Sequence, residues 1–136
     1  AYLWADGDAD KQAQITQETG DNLFLRISNA GQGTTAMLVT RPIHAESRQH
    51  YLVATHLRAQ TGAAVFSVTA SDSRERRAGV RAAGNYSEAE WTTVALYFRA
   101  APTWETFRVS IGLFEMAGTV DYDGVFVAEI IEPPLL

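Results

Sequence analysis

The chain offers few side chains in spacings that do chemistry, and those few narrow the choices. His44, His50 and His56 recur every six residues, and on one continuous strand His50 and His56 share a face. Two imidazoles can start a zinc site, but such a site needs three or four ligands and no carboxylate shares that strand, so hydrogen-bonding surface histidines are the simpler reading. Asp121 and Asp123 are two apart, which puts both carboxylates on one side of a regular strand. A solvated sheet edge or a calcium ion, which takes several hard oxygen ligands, would each accommodate them. Asp6, Asp8 and Asp10 imitate a calcium loop, yet Lys11 stands where that loop needs Gly and Gln17 where it needs the bidentate Glu. Ser67, Ser71, Ser73 and Ser110 lack the Gly-x-Ser-x-Gly elbow of a serine nucleophile. Arg74, Arg76, Arg77 and Arg81 could pair with planar anions, although Asp72 and Glu75 among them make a charge-mixed turn the better reading. No catalytic constellation emerges.

Composition bounds the rest. In 136 residues, 11 basic side chains face 16 acidic ones, a net charge of −5, with 46% hydrophobic residues. That is a globular balance with enough chain for one core. Net acidity disfavours nucleic acid, whose binding draws on a basic surface. No run approaches the ~18 apolar residues of a membrane-spanning helix, so no membrane partner is expected. The absence of cysteine excludes disulfides and thiolate chemistry.

The elements that must position these groups are strands. Thr92 to Arg99 places Val94, Leu96 and Phe98 on one face and Thr93, Ala95 and Tyr97 on the other; Thr106 to Phe114 alternates Phe107, Val109, Ile111 and Leu113 with Arg108, Ser110, Gly112 and Phe114. Further runs at 12–16, 22–28, 35–40, 50–59, 64–70, 79–83 and 119–131 bring the expectation to about nine strands. Short strands at roughly twelve-residue spacing without helical segments predict an all-β fold, a two-sheet antiparallel β-sandwich. Ser87 with Glu90 allows at most one helical turn before the β-forming run that starts at Trp91. Glu132-Pro133-Pro134 reads as the start of a linker, giving a domain at 1–131, a linker start at 132–136, and a larger parent chain.

Tyr97 and Phe114 lie opposite the apolar stripes of their strands, as do Arg108, His56 and Arg58. If those strands share one sheet, its outer surface mixes rings with hydrogen-bond donors, which suits sugars: CH-rich faces stack on rings while hydroxyls take directional bonds. Trp104, beside Pro102 in an expected loop, is a rim candidate. An alternative keeps Tyr97 and Phe114 in a secondary core.

The runs Asn22-Leu23-Phe24-Leu25-Arg26-Ile27, His50-Tyr51-Leu52-Val53, Glu90-Trp91 leading to Leu96-Tyr97-Phe98, Phe107-Arg108-Val109-Ser110-Ile111 and Val120-Asp121-Tyr122-Asp123-Gly124-Val125-Phe126-Val127 occur together in this order. In this the chain resembles the galactose-binding-like jelly roll, especially carbohydrate-binding modules of families 4, 9, 16 and 22, from about Trp4 to Ile130. The resemblance implies a non-catalytic module that binds a polysaccharide or oligosaccharide, is tethered to a catalytic domain of a glycoside hydrolase, and is secreted or displayed at the cell surface. It further implies a structural calcium on Asp123, with oxygens near Gly20 and Asp21, and a structural role for Trp91. The chain departs from the pattern in lacking the Asn-Gly-x-Phe-Glu opening and most of the stacking rings of xylan-binding relatives. Two other readings follow from the residues: a structural or protein-interaction sandwich without sugar, and a jelly-roll lyase or hydrolase acting on an acidic polysaccharide through the Arg cluster, with Tyr97 and His56 as acid and base.

Overall fold

The computed structural model describes residues 2–5, 11–17, 23–30, 33 and 35–131, with the backbone alone at 2–5 and 11–17. Its elements are β1 (Tyr2–Ala5), β2 (Lys11–Gln17), β3 (Leu23–Asn29), β4 (Ala36–Val39), β5 (Ile43–His44), β6 (His50–Thr61), β7 (Ala64–Ser71), β8 (Arg77–Tyr86), β9 (Thr92–Arg99), β10 (Thr106–Leu113) and β11 (Gly118–Ile130). No helix occurs among the described residues; Ser87 and Glu88 are irregular and a bend follows at 89–90. Two strands exceed the expectation. β1 and β5 are four and two residues long, too short to show an alternation. The Asp6 to Asp10 run and the expected linker at 132–136 lie outside the described residues.

The strands form two antiparallel sheets. One has the order β1-β4-β10-β7-β8, with β5 also on β10; the other has the order β2-β3-β11-β6-β9. This is the two-sheet sandwich that the alternation predicts, in the jelly-roll form that the resemblance implies. Inward residues of both sheets make one core: Val53, Leu57, Val120 and Ile27 from the second sheet meet Phe66, Val68, Val109, Ile111 and Leu113 from the first. Tyr51, Phe98 and Phe107 cluster at one end, with ring centroids 5.1–5.7 Å apart.

Trp104 belongs to this cluster, which corrects its expected place at a rim. It does sit in a turn, yet it is only 4% exposed. Its ring packs 5.6 Å from Phe98 and lies against Gly79, where an added Cβ would come within 2.8 Å of the indole. Arg81 covers the ring from above at 5.3 Å.

Tyr122 ties the sheets together. Fully buried on β11, it donates its hydroxyl to Val65 O of β7 at 2.6 Å and accepts from Gly112 N of β10 at 2.9 Å. Burial pushes its phenol pKa far above the usual value, so the proton needed for that donation stays in place. We expect Tyr122→Phe to leave two buried backbone groups unpaired and to lower unfolding free energy by about 1–3 kcal/mol in urea denaturation; an unchanged midpoint would show that the bridge contributes nothing.

Candidate functional site

The expected ligand-binding residues divide between the two sheets. His56 and Arg58 on β6 and Tyr97 on β9 share the outer face of the second sheet. Arg108 on β10 faces outward on the first sheet, with Phe114 just past the end of that strand. The premise of a single sheet therefore fails, because β9 pairs with β6 whereas β10 pairs with β4, β5 and β7. Around Arg108 the outward residues are Thr106 and Ser110, with Thr69 and Ser67 opposite on β7, a floor rich in hydroxyls. Arg108 itself donates to Thr40 O at 3.2 Å.

The outer face of the second sheet combines rings and polar groups. Cross-strand register sets its rows. Asp123, His56 and Thr93 align across β11, β6 and β9; the next row is Phe126, Ala54 and Ala95; the next is Ala128, Leu52 and Tyr97; the last is Ile130, His50 and Arg99. A depression of about 320 Å³ lies here, lined among others by Ala54, His56, Thr93, Asp123, Gly124 and Phe126. Ala54 keeps its floor low, and Phe126, 60% exposed, stands over it; Tyr97, 55% exposed, projects from the same face two rows from Thr93. His56 Nδ1 lies 2.7 Å from Thr93 Oγ1, and Tyr97 Oη lies 2.7 Å from His50 Nδ1 with the two rings stacked. These pairs fix the rotamers of the polar side chains on this face.

A bulge makes this face. Between Asp123 and Val125 the β11–β6 register slips by one residue at Gly124, whose φ of 73° is left-handed. Before the slip, Val120 and Tyr122 point inward; after it, Val125 faces the interior with Thr55, and Phe126 turns outward. The Thr55 hydroxyl pins the bulge by donating to Gly124 O. Phe126 is the residue that a regular strand hides from sequence reading, and Gly124 after Asp123 is the signal that could have found it.

Asp121 occupies neither of its expected settings. It faces outward but is 0% exposed, because Arg26 Nε and Arg58 Nε each sit 2.8 Å from its oxygens and Gln60 adds a bond at 3.2 Å. Arg58 is itself packed between rings, 4.4 Å from Trp91 and 4.9 Å from Phe24, which meet edge to face. This ion-pair cluster closes one end of the face. Asp123, the expected calcium ligand, lines the depression opposite His56, whereas its expected partner Asp21 lies outside the described residues. Among the described residues no three His, Cys, Asp or Glu side chains converge on one point. Tyr97 and His56 stand two rows apart, about 13 Å along the strands, too far to act as acid and base on one carbon. Asp72 caps its turn, accepting from the Arg74 and Arg76 amides at 2.9 Å and from Arg76 Nε at 3.0 Å, as the charge-mixed reading of that arginine cluster requires.

No known family profile matches the chain, and no curated protein matches it. Solved structures do. The enzymatically active domain of tailspike protein 4 of bacteriophage CBA120 superposes with a TM-score of 0.80 at 12% identity, covering 95% of this chain and 19% of that one. The CBM22-1 xylan-binding domain of Paenibacillus barcinonensis Xyn10C matches with a TM-score of 0.68 at 8% identity, covering 96% and 87%. The CBM22-1–GH10 modules of Clostridium thermocellum Xyn10B, in complex with xylohexaose, match with a TM-score of 0.69 at 15% identity, covering 98% and 27%. The chain thus spans about a fifth of the tailspike domain and nearly all of a free-standing module. Its fold is the jelly roll of the carbohydrate-binding modules.

Desolvation raises the Asp121 pKa, but hydrogen bonds and charge from Arg26 and Arg58 outweigh it, and the net value lies below the ordinary carboxylate range. The folded pKa is depressed, so the stabilisation is complete above about pH 4 and is lost as pH falls through the folded value. We expect Asp121→Asn to cost about 3–5 kcal/mol at neutral pH by removing the buried carboxylate charge that both guanidinium groups share. Its stability should also fall less than that of the wild type between about pH 5 and pH 2, followed by thermal unfolding; parallel pH profiles would assign the acid lability to another group.

Proposed function

We propose that this chain is a non-catalytic carbohydrate-binding module that holds a glycan against the outer face of the second sheet and so keeps an attached catalytic domain at its substrate. The observation that carries this reading is the depression lined by Ala54, His56, Thr93, Asp123 and Phe126, on a face where the Phe126 and Tyr97 rings both stand exposed. A pyranose lying on Ala54 and Ala95 would present its CH face to a ring and its hydroxyls to His56, Thr93 and Asp123. Tethering would raise the local concentration of the catalytic domain without any chemistry in the module. Two of the similar folds support it by their own partners: one is a xylan-binding domain, and the other sits beside a glycoside hydrolase module with xylohexaose bound. Secretion or surface display belongs to the same proposal, since polysaccharide substrates lie outside the cell.

A second reading is a structural or protein-interaction sandwich. The likeness to one part of a phage tailspike favours it. Calorimetric titration against a panel of neutral and acidic oligosaccharides separates the two. Tyr97→Ala and Phe126→Ala should each weaken binding by about ten- to a hundredfold, the worth of one buried ring, without a change in melting temperature, and Arg108→Ala should leave it intact. Loss in Arg108→Ala alone would move the ligand to the first sheet. No binding to any glycan would leave the structural reading.

We propose that Asp123, together with Asp21, holds a stabilising calcium ion. Adding calcium after chelator treatment should raise the melting temperature by several degrees, roughly 4 °C or more per kcal/mol of linkage, and Asp123→Asn should abolish that rise. If calcium produces no shift, Asp123 serves the ligand's hydroxyls alone.

A further inference from the structure

β9 is the last strand of the second sheet, and among the described residues no hydrogen bond reaches the backbone of Thr92–Arg99 from any strand other than β6. Such an edge is a template for another strand unless it is blunted. The neighbouring edge, β8, carries the usual protection. Its pairing with β7 slips in register at two places, Gly84 takes a left-handed φ of 108°, and Arg81 is turned inward over Trp104. β9 has none of these devices. Its register against β6 is continuous from Thr92 to Arg99, it contains no proline or glycine, and its only charge is Arg99 at the end. Thr92, Thr93, Val94, Tyr97 and Phe98 are strong β-formers.

The two ends of this edge differ in charge. At one end Arg99 and Arg48 lie side by side, both exposed, with Arg99 Nε 3.2 Å from Arg48 O. At the other end Glu88 and Glu90 are exposed in the segment before Trp91. Antiparallel pairing of two identical edges brings the basic end of each against the acidic end of the other, so the edge complements itself about a two-fold axis. In antiparallel pairing opposed residues share a face, which restricts outward residues to outward partners. Centring the axis on Ala95 sets Ala95 against its own copy, where the small side chain leaves room. Tyr97 of each copy then lies opposite Thr93 of the other, and Arg99 falls opposite Trp91.

We propose that the chain forms a two-fold homodimer through antiparallel pairing of β9 with β9 of a second copy, centred on Ala95. The second sheets of the two copies become one continuous sheet. The proposal does not rest on the glycan reading: a dimer that binds no sugar and a monomer that binds sugar are both measurable outcomes.

The test is the mass of the full chain in solution by light scattering and sedimentation. Wild type should be dimeric at micromolar concentration. Ala95→Glu and Ala95→Lys each put like charges about 5 Å apart across the axis and should be monomeric, with unchanged circular dichroism and melting at low concentration because Ala95 is exposed. Mixing the two variants one to one should restore the dimer. A wild type that stays monomeric at about 100 μM, weaker than a specific association of this kind would be, overturns the proposal. So does a dimer indifferent to both charges, or a mixture that fails to reassociate.

Discussion

The single inserted residue in the last strand decides what the second sheet shows to solvent. A strand of period two cannot bury Val120, Tyr122, Val125 and Val127 on one side, since the first pair and the second differ in parity. The bulge at Gly124 removes the conflict by advancing the chain one residue against β6. Tyr122 thereby reaches across the core to β7 and β10 while Asp121, Asp123 and Phe126 all face outward. Glycine is required for the backbone alone, because nothing lies within 4 Å of where its Cβ would be and the demand comes from the left-handed φ. Core packing, inter-sheet bonding and the depression on the outer face thus rest on one conformation.

The alternation of apolar residues made the strands and the two-layer class legible, because burial of one face imposes period two wherever it occurs. Sheet membership was not legible. Whether β9 and β10 lie together depends on pairings with β6 and β7 across tens of residues, and nothing local in Thr92–Arg99 or Thr106–Leu113 encodes them. Arg108 and Phe114 were therefore grouped with Tyr97 by parity alone. Trp104 shows the same limit in another form: its turn was read correctly, but its burial depends on Gly79, 25 positions earlier, lacking a side chain where the indole lies. Phe126 was hidden by the bulge even though Asp123-Gly124 announces it.

The outer face of the second sheet also shows how a carboxylate can be buried without a core. Asp121 lies on the side away from the sandwich interior, and what removes it from water is the pair of guanidinium groups and the rings that cover them. Arginine suits this role because its planar group stacks on Phe24 and Trp91 while its edge bonds the carboxylate, which an ammonium cannot do in one geometry. The cost of taking these charges out of water is offset by their mutual bonds, and the result is a rigid end wall. That rigidity gives Trp91 its structural role: it covers the ion pair and leaves the open rings to Tyr97 and Phe126.

Two edges side by side are treated differently, and this difference bears on how the second sheet can associate. β8 is broken by register slips and guarded by an inward arginine, at the expense of regular pairing along its length. β9, with a hydrophobic inward face and no such guard, keeps a clean ladder with β6. A clean ladder is what holds Thr93 and Tyr97 in register with His56 and His50, so slips there would separate the hydrogen-bonded pairs of the outer face. The regularity that preserves the face therefore also leaves the edge open to pairing. The fold cannot protect β9 with bulges without disturbing its site, so covering the edge with an identical strand would satisfy both demands.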